Sequence, residues 1–370
     1  MSATQRELRL EFQSDRIEMV LASHKAPARV MGGVVTPRAV QFHLAPMLGT
    51  KINKMQALAD ELALALGASS VRVSRQGGSV QLEIPRDDAR PVKLMSLMPR
   101  LAGPGAKPLP PGTAALGLCD DGAPLLLRLP SPDVAHVLIA GTTGSGKTAL
   151  CQTMILSLAM THRRSQLQFV LVDPKQRAFA PFKTLPHLLR PVIGDAREAV
   201  DALCELARLM EVRGLGEATP RIVVVLDELA DLMHANAGGK ALNEHLTRLV
   251  QRGREAGIHV MACTQKPSSQ VMGTLIRANF PVRLVGKVVS PEDARVAAGI
   301  GGTGAEKLAG RGDFVAIAAG QVIRFQAAYV SAAEMDQVVA QMGSTPRRWD
   351  VVGGRPSLLH QAVALVAGAG

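Results

Sequence analysis

Aromatic side chains are scarce in this chain: eight Phe, one Trp and one Tyr make up 3% of 370 residues. A protein that holds single-stranded nucleic acid by stacking its bases needs an aromatic platform, and the composition argues against that class. Cysteine is also sparse. Cys119, Cys151, Cys204 and Cys263 are scattered with no C-x-x-C spacing, so neither a zinc site nor a disulfide framework is indicated, and they read as small core residues in a reducing compartment. No window approaches about 18 uncharged apolar residues. The first residues, with Arg6, Glu7, Arg9 and Glu11, lack the shape of a signal peptide. The chain is expected to be soluble and cytoplasmic, with no membrane contact of its own.

Positive charge, by contrast, is in excess. Lys and Arg number 42 against 31 Asp and Glu, a net +11, which favours a polyanionic partner such as nucleic acid. The length allows two domains with full cores.

Gly141-Thr142-Thr143-Gly144-Ser145-Gly146-Lys147-Thr148 fits the phosphate-loop pattern G-x-x-x-x-G-K-[ST] at every constrained position. The apolar run His136 to Ala140 before it reads as a buried strand, and Ala149 to Met160 after it is apolar at helical spacing. Strand, glycine turn and helix are the context this pattern requires. Gly141, Gly144 and Gly146 let successive N–H groups approach the phosphates of a nucleotide. Lys147 neutralises β and γ oxygens, Thr148 takes a place on Mg²⁺, and the helix start adds positive potential. ATP and Mg²⁺ are the cofactors expected.

Arg221 to Leu226 is a β-branched run ending in Asp227-Glu228, which places two carboxylates at the carboxyl edge of a parallel sheet. Asp227 is read as the metal-holding acid. Glu228 is read as the base that orients and deprotonates an attacking water, a role that a hydrolase needs.

The Pro/Gly-rich residues 99–112 are expected to be a linker between a small α/β domain, 1–98, and a motor domain, 113–335, with a tail at 336–370. In the first part, Val40 to Leu44 reads as a strand, Lys51 to Leu66 as one helix, and Ser70 to Val73 with Val80 to Ile84 as a hairpin across Gly77-Gly78. Strands near 136, 168, 222, 258 and 282 with helices between them predict a wound, mostly parallel sheet.

Several separate motifs resemble those of the FtsK/SpoIIIE family of hexameric double-stranded DNA translocases. They are the strand and loop from His136, Val172-Asp173-Pro174-Lys175, Asp227-Glu228-Leu229-Ala230-Asp231-Leu232 and Ala256-Gly257-Ile258-His259. To these are added Thr264-Gln265-Lys266-Pro267-Ser268, the run Ile276 to Arg283, and Gly304 to Phe314. Gly33 to Thr36, Ala68 to Val73 and Leu82 to Pro85 are similar to the family's α subdomain. The fold implied is α/β: a P-loop NTPase with a RecA-like, mostly parallel sheet, behind a small N-terminal α/β domain.

What the resemblance implies about roles goes further than the residues alone. Gln265 matches the residue that senses the γ-phosphate, and Arg254 matches an arginine finger that one subunit inserts beside its neighbour's nucleotide, with Arg208 a weaker candidate at the same interface. Thr264, Lys266 and Arg277 fall in the loops that line the DNA channel, where cations grip phosphates without reading bases. A basic residue of that set is replaced here by Pro291, for which Lys287 is a candidate substitute. The partners implied are double-stranded DNA and five further copies of this chain. Well-known members also carry a membrane domain and a winged-helix γ domain; neither is expected here, although Leu358 to Val366 resembles the start of the latter. A protein-secretion motor, a conjugative coupling ATPase and a non-enzymatic adaptor stay open as alternatives, as does the cargo: chromosome, plasmid, phage genome or mobile element.

Overall fold

The computed structural model describes residues 3–36, 39–76, 79–86, 91–103, 105–213, 219–234, 239–265, 278–344 and 363–364. They form two compact units, which divide after Pro91.

The first unit contains α1 (Ala3–Ser23), β1 (Ala28–Val35), β2 (Ala39–Pro46), α2 (Ile52–Ala57), α3 (Ala59–Leu66), β3 (Arg72–Gln76) and β4 (Ser79–Pro85). Its strands form an antiparallel sheet in the order β1-β2-β4-β3. Alternate residues of β2 and β4, Phe42, Leu44, Val80, Leu82 and Ile84, share a core with Ile17 and Leu21 of α1 and with Met55 and Leu62. The single helix expected over 51–66 is broken at Leu58 (φ −90°, ψ 16°). Gly67 then closes α3 in the left-handed conformation, its N–H reaching the carbonyls of Ala63 and Leu64, the usual glycine stop.

The second unit runs α4 (Leu94–Ala102), β5 (Thr113–Cys119), β6 (Pro124–Arg128), β7 (Val137–Ala140), α5 (Lys147–Thr161), β8 (Leu167–Val172), α6 (Ala196–Arg213) and β9 (Arg221–Leu226). It continues with α7 (Leu229–His234), α8 (Gly239–Arg252), β10 (Ile258–Thr264), β11 (Val282–Gly286), α9 (Pro291–Ala298), β12 (Asp313–Ala318), β13 (Gln321–Ala327) and α10 (Ala332–Ser344). A two-residue strand, β14 (Val363–Ala364), pairs with β6. Among the described residues the sheet order is β14-β6-β5-β13-β12-β11-β7-β10-β9-β8.

The strands β11-β7-β10-β9-β8 are parallel throughout, as a wound α/β sheet requires. From β11 outward through β12, β13, β5 and β6 the pairing is antiparallel, so the parallel character belongs to one half of the sheet. Each parallel strand is buried on both faces, which explains its unbroken apolar run. In β9, Val223 and Val225 join Leu150, Met154 and Leu158 of α5 on one side. Ile222, Val224 and Leu226 meet Leu203 and Leu206 of α6 and Leu242, Leu246 and Leu249 of α8 on the other.

The stretch expected as a linker is not one. Its first residues end α4, whose Leu94, Leu97, Met98 and Leu101 repeat at helical spacing and are buried with β5 and α5 in the second unit's core. Its last, Gly112, donates its N–H to His162 Nε2 at 2.8 Å. The expected tail likewise begins inside α10, where Met335, Val338 and Val339 are core residues; Trp349 and most of the run Leu358 to Val366 lie outside the described residues. Among the described residues no helix is long and apolar enough to cross a membrane.

Candidate nucleotide site

Register alone brings the phosphate loop, Thr264-Gln265, Asp227-Glu228 and Asp173 to one edge of the sheet. Ala140 pairs with Thr264, Ala262 with Leu226, and Leu226 with Val172, so the residues that follow β7, β10, β9 and β8 emerge side by side at the carboxyl ends of parallel strands, where such sheets bind ligands.

The loop is held from two sides. Thr142 donates both its N–H (2.8 Å) and its hydroxyl (3.0 Å) to the carbonyl of Lys287. Beneath it, the N–H groups of Arg311 and Gly312 donate to the carbonyls of Gly144 and Ser145 at 3.0 and 2.8 Å. Gly146 has φ 103°, and a Cβ there would stand 2.8 Å from the Gly312 nitrogen; glycine is required by backbone angle and by close approach together. The supporting segment is itself fixed by Asp313, whose carboxylate receives Nε and Nη2 of Arg324 at 2.9 Å each and the N–H of Ala309 at 2.9 Å. This is the structural reason for the Gly304 to Phe314 motif, to which sequence reasoning attached no role.

Lys147 is buried, and burial pulls its ammonium below the ordinary lysine value against the opposing pull of Cys263, Glu228 and Asp227. It donates to the carbonyls of Gly141 (2.8 Å) and Thr142 (3.1 Å). Thr148 stands half-buried in the first turn of α5, whose leading N–H groups have no intrahelical acceptor. The Ser145 hydroxyl is buried with no partner among the described residues. A glycine-bounded cradle, an orphan hydroxyl, a buried cation and a helix start make a set of donors that fits a polyphosphate.

Asp227 is half-buried and has its carboxyl pushed up from 3.8 to about 6, first by burial, then by the charges of Asp173 and Glu228, with Lys147 and Lys175 opposing. Such crowding is what a cation relieves. Among the described residues no group of three or more His, Cys, Asp and Glu side chains has a metal-holding arrangement.

Glu228 is only 6% exposed and has left-handed backbone, φ 54°. Its Oε1 accepts the Thr264 hydroxyl at 3.1 Å and the Gln265 N–H at 3.1 Å, and that N–H lies 3.2 Å from Oε2. The Gln265 side chain points to the loop, where its Oε1 accepts the Thr143 hydroxyl at 3.0 Å.

Thr264 therefore corrects an expectation. It is completely buried and bonded to Glu228, so it offers no surface to DNA. Lys266 and Arg277 lie outside the described residues. Pro291 opens α9 as its first residue, behind the Ser290 cap that accepts the Asp293 N–H at 3.1 Å; a proline suits that position. Lys287 is exposed, with its carbonyl committed to the loop.

Arg254 is not on a helix: α8 ends at Arg252, and Arg254 lies in the turn before β10, its guanidinium 3.8 Å from Glu255. Three turn residues and the seven of β10 separate it from Gln265, the strand alone spanning about 23 Å at strand rise. It is thus at the opposite edge of the sheet from its own phosphate loop. Arg208 is exposed on α6.

Two residues of the Asp173-Pro174-Lys175 motif acquire a place that sequence did not assign. Asp173 is fully buried, with Oδ2 accepting the Phe179 N–H at 3.1 Å and Oδ1 unpartnered among the described residues. Lys175 pairs with Asp231 at 2.8 Å, a bond that raises its ammonium above the ordinary value. The sequence held no signal for this place, which follows from the pairing of β8 with β9.

The family model for FtsK/SpoIIIE matches residues 109–215 and 213–269, and that for the FtsK alpha domain matches 1–86. The chain belongs to the FtsK/SpoIIIE family. Its second unit is a P-loop ATPase domain of that family and its first corresponds to the FtsK alpha domain. DNA translocase SftA of Bacillus subtilis is 34% identical over 362 residues, 90% of this chain and 37% of that protein. DNA translocase FtsK of Lactiplantibacillus plantarum is 33% identical over 362 residues, 89% of this chain and 44% of that protein. The chain thus spans less than half the length of these curated relatives. Among solved structures, the pCW3 conjugation coupling protein TcpA, in a monomer form with ATPγS, aligns with a TM-score of 0.60 at 17% identity, covering 89% of this chain and 99% of that one. The cytoplasmic domain of the type VII secretion ATPase EccC of Thermomonospora curvata aligns with a TM-score of 0.59 at 24% identity, covering 69% and 34%. At those identities the likeness is one of fold.

Proposed function

We propose that this FtsK/SpoIIIE chain is an ATP-driven motor that moves double-stranded DNA in the cytoplasm as a ring of six copies. The observation that carries the reading is the split of one catalytic set across the sheet. Lys147, Thr148, Asp227, Glu228 and Gln265 gather at one edge, while Arg254 stands at the other, beyond the strand's span of about 23 Å, able to serve only a neighbouring copy's site. The naming of the relatives as DNA translocases and the net charge of +11 support DNA as the cargo.

Bound ATP with Mg²⁺ supplies the phosphoanhydride and a cation that spreads the developing charge. Thr148 and Asp227 would hold the metal. Lys147 exchanges its two loop carbonyls for phosphate oxygens, Gln265 reports on the γ-phosphate, and Glu228 takes the proton of the attacking water. Arg254 of a neighbouring copy completes the charge set, a contribution of roughly a thousandfold for such fingers, so turnover depends on assembly. Lys266 and Arg277 grip the duplex by its phosphates and are indifferent to its sequence.

The test is the ATPase rate of the purified protein alone, with single strands, and with duplexes of unrelated sequence. Strong stimulation by any duplex is expected. A rate indifferent to all DNA, from rings confirmed in solution, would overturn the reading in favour of a secretion motor or an adaptor.

A further inference from the structure

Both groups assigned to the reacting end of the nucleotide are occupied by bonds inside the chain. Glu228 has its carboxylate turned onto the end of β10, where the Thr264 hydroxyl and the Gln265 N–H donate to it at 3.1 Å, and its residue is 6% exposed. Gln265 has its side chain on Thr143 at the top of the phosphate loop. A general base must offer a lone pair to water; here two donors hold Oε1 and the residue is buried, so the carboxylate is tied to the end of β10 and little of it is open to water. Nor is the pose one that the backbone chooses by itself, because a left-handed glutamate is strained and persists only where its surroundings hold it.

We propose that Thr264 is a positioning residue that clamps Glu228 in a resting pose, so that hydrolysis waits for the carboxylate to leave the end of β10. The inference rests on the reading of Glu228 as the base. Thr264 is well placed to act as the clamp, being the last residue of a fully buried strand with one hydroxyl to give, and its neighbour Gln265 supplies the second donor from the main chain. The clamp is also connected to the nucleotide. A phosphate that draws on the Thr143 hydroxyl takes the donor that holds Gln265, and the end of β10 loses its tie to the loop. Filling the site thus loosens the clamp without abolishing it, because the Thr264 hydroxyl and the Gln265 N–H still donate to Glu228, and idle turnover stays restrained.

Thr264→Val keeps the shape of the side chain and removes the donor. Without DNA, its basal ATP turnover is expected to rise roughly tenfold, the size of effect that a hydrogen bond to a charged group carries, while affinity for a fluorescent ATP analogue rises rather than falls, since a nucleotide that loosens the clamp binds better once it is gone. Amide hydrogen exchange at Gln265 in the nucleotide-free protein should quicken, and Thr264→Ser, which retains the hydroxyl, should return both readings toward wild type. In the wild-type protein a non-hydrolysable ATP analogue should also quicken exchange at Gln265. A basal rate in Thr264→Val that stays level or falls, or exchange at Gln265 that does not respond to the analogue, would overturn the clamp. Glu228→Gln separates the two readings: full turnover in that variant removes Glu228 as the base, whereas an inactive Glu228→Gln beside an unaccelerated Thr264→Val removes the clamp alone.

Discussion

Replacing Asp227 by Asn should make the protein more stable at alkaline pH while removing its function. The Asp227 carboxyl is pushed up from 3.8 to about 6 by burial and by Asp173 and Glu228. In the pH range between those values the folded chain holds a proton that the unfolded chain has lost, so stability falls as pH rises, and above about 6 the full penalty is present. The rise corresponds to about 3 kcal/mol at roughly 1.4 kcal/mol per pH unit, and solvent at the half-exposed carboxylate screens part of it, leaving about 1–2 kcal/mol. Asn has the same shape and no charge. At roughly 2–4 °C per kcal/mol for a domain of this size, Asp227→Asn should melt about 2–8 °C above wild type at pH 8 without divalent cation, and level with it near pH 4. Mg²⁺ with nucleotide should raise the wild-type melting temperature at pH 8 more than that of the variant. An Asn variant that melts at or below wild type at pH 8 would show that the three acids do not repel one another as the geometry implies.

Three further outcomes follow from particular contacts. Subunits carrying Arg254→Ala and subunits carrying Lys147→Ala should each be inactive alone, and mixing them should restore part of the ATPase rate at hybrid interfaces; no rescue in rings shown to be mixed would place the finger elsewhere. Arg324→Met should leave Asp313 buried and unpaired, at a cost of about 3–5 kcal/mol read by denaturant titration, and should also weaken nucleotide binding because the 310–312 support of the loop is loosened; unchanged stability would show that the pair is not structural. Gly146→Ala should abolish nucleotide binding in a folded protein, as measured by calorimetry, since its Cβ meets the Gly312 nitrogen; tight binding would mean that the loop adapts by another route.

The parts of this site that sequence reveals are those made of neighbouring residues. The phosphate loop and the Asp227-Glu228 pair are contiguous, and the strands before them are apolar on both faces, so pattern alone places them. Contacts that depend on strand order are invisible in the chain. Asp173 becomes part of the acid cluster only because β8 lies next to β9, and Arg311 and Gly312 support the loop from more than a hundred residues away. The resemblance places Thr264 in a loop that lines the DNA channel, whereas its burial follows from being the last residue of a central strand. The helix α4 is obscured by Pro99 within it and by the Pro/Gly run behind it, although its apolar spacing is present. In the first unit β1 is mostly exposed on both faces, so it lacks the alternation by which a strand is recognised.

The most direct test of the motor itself is displacement of a third strand bound to duplex DNA, followed in time with ATP, with a non-hydrolysable analogue, and with Glu228→Gln protein. The account predicts displacement by wild type with ATP alone, at rates that do not depend on the sequence of the track leading to the third strand. ATP hydrolysis stimulated by duplex with the third strand left in place would contradict it, because the chain would then be a DNA-dependent ATPase that does not move.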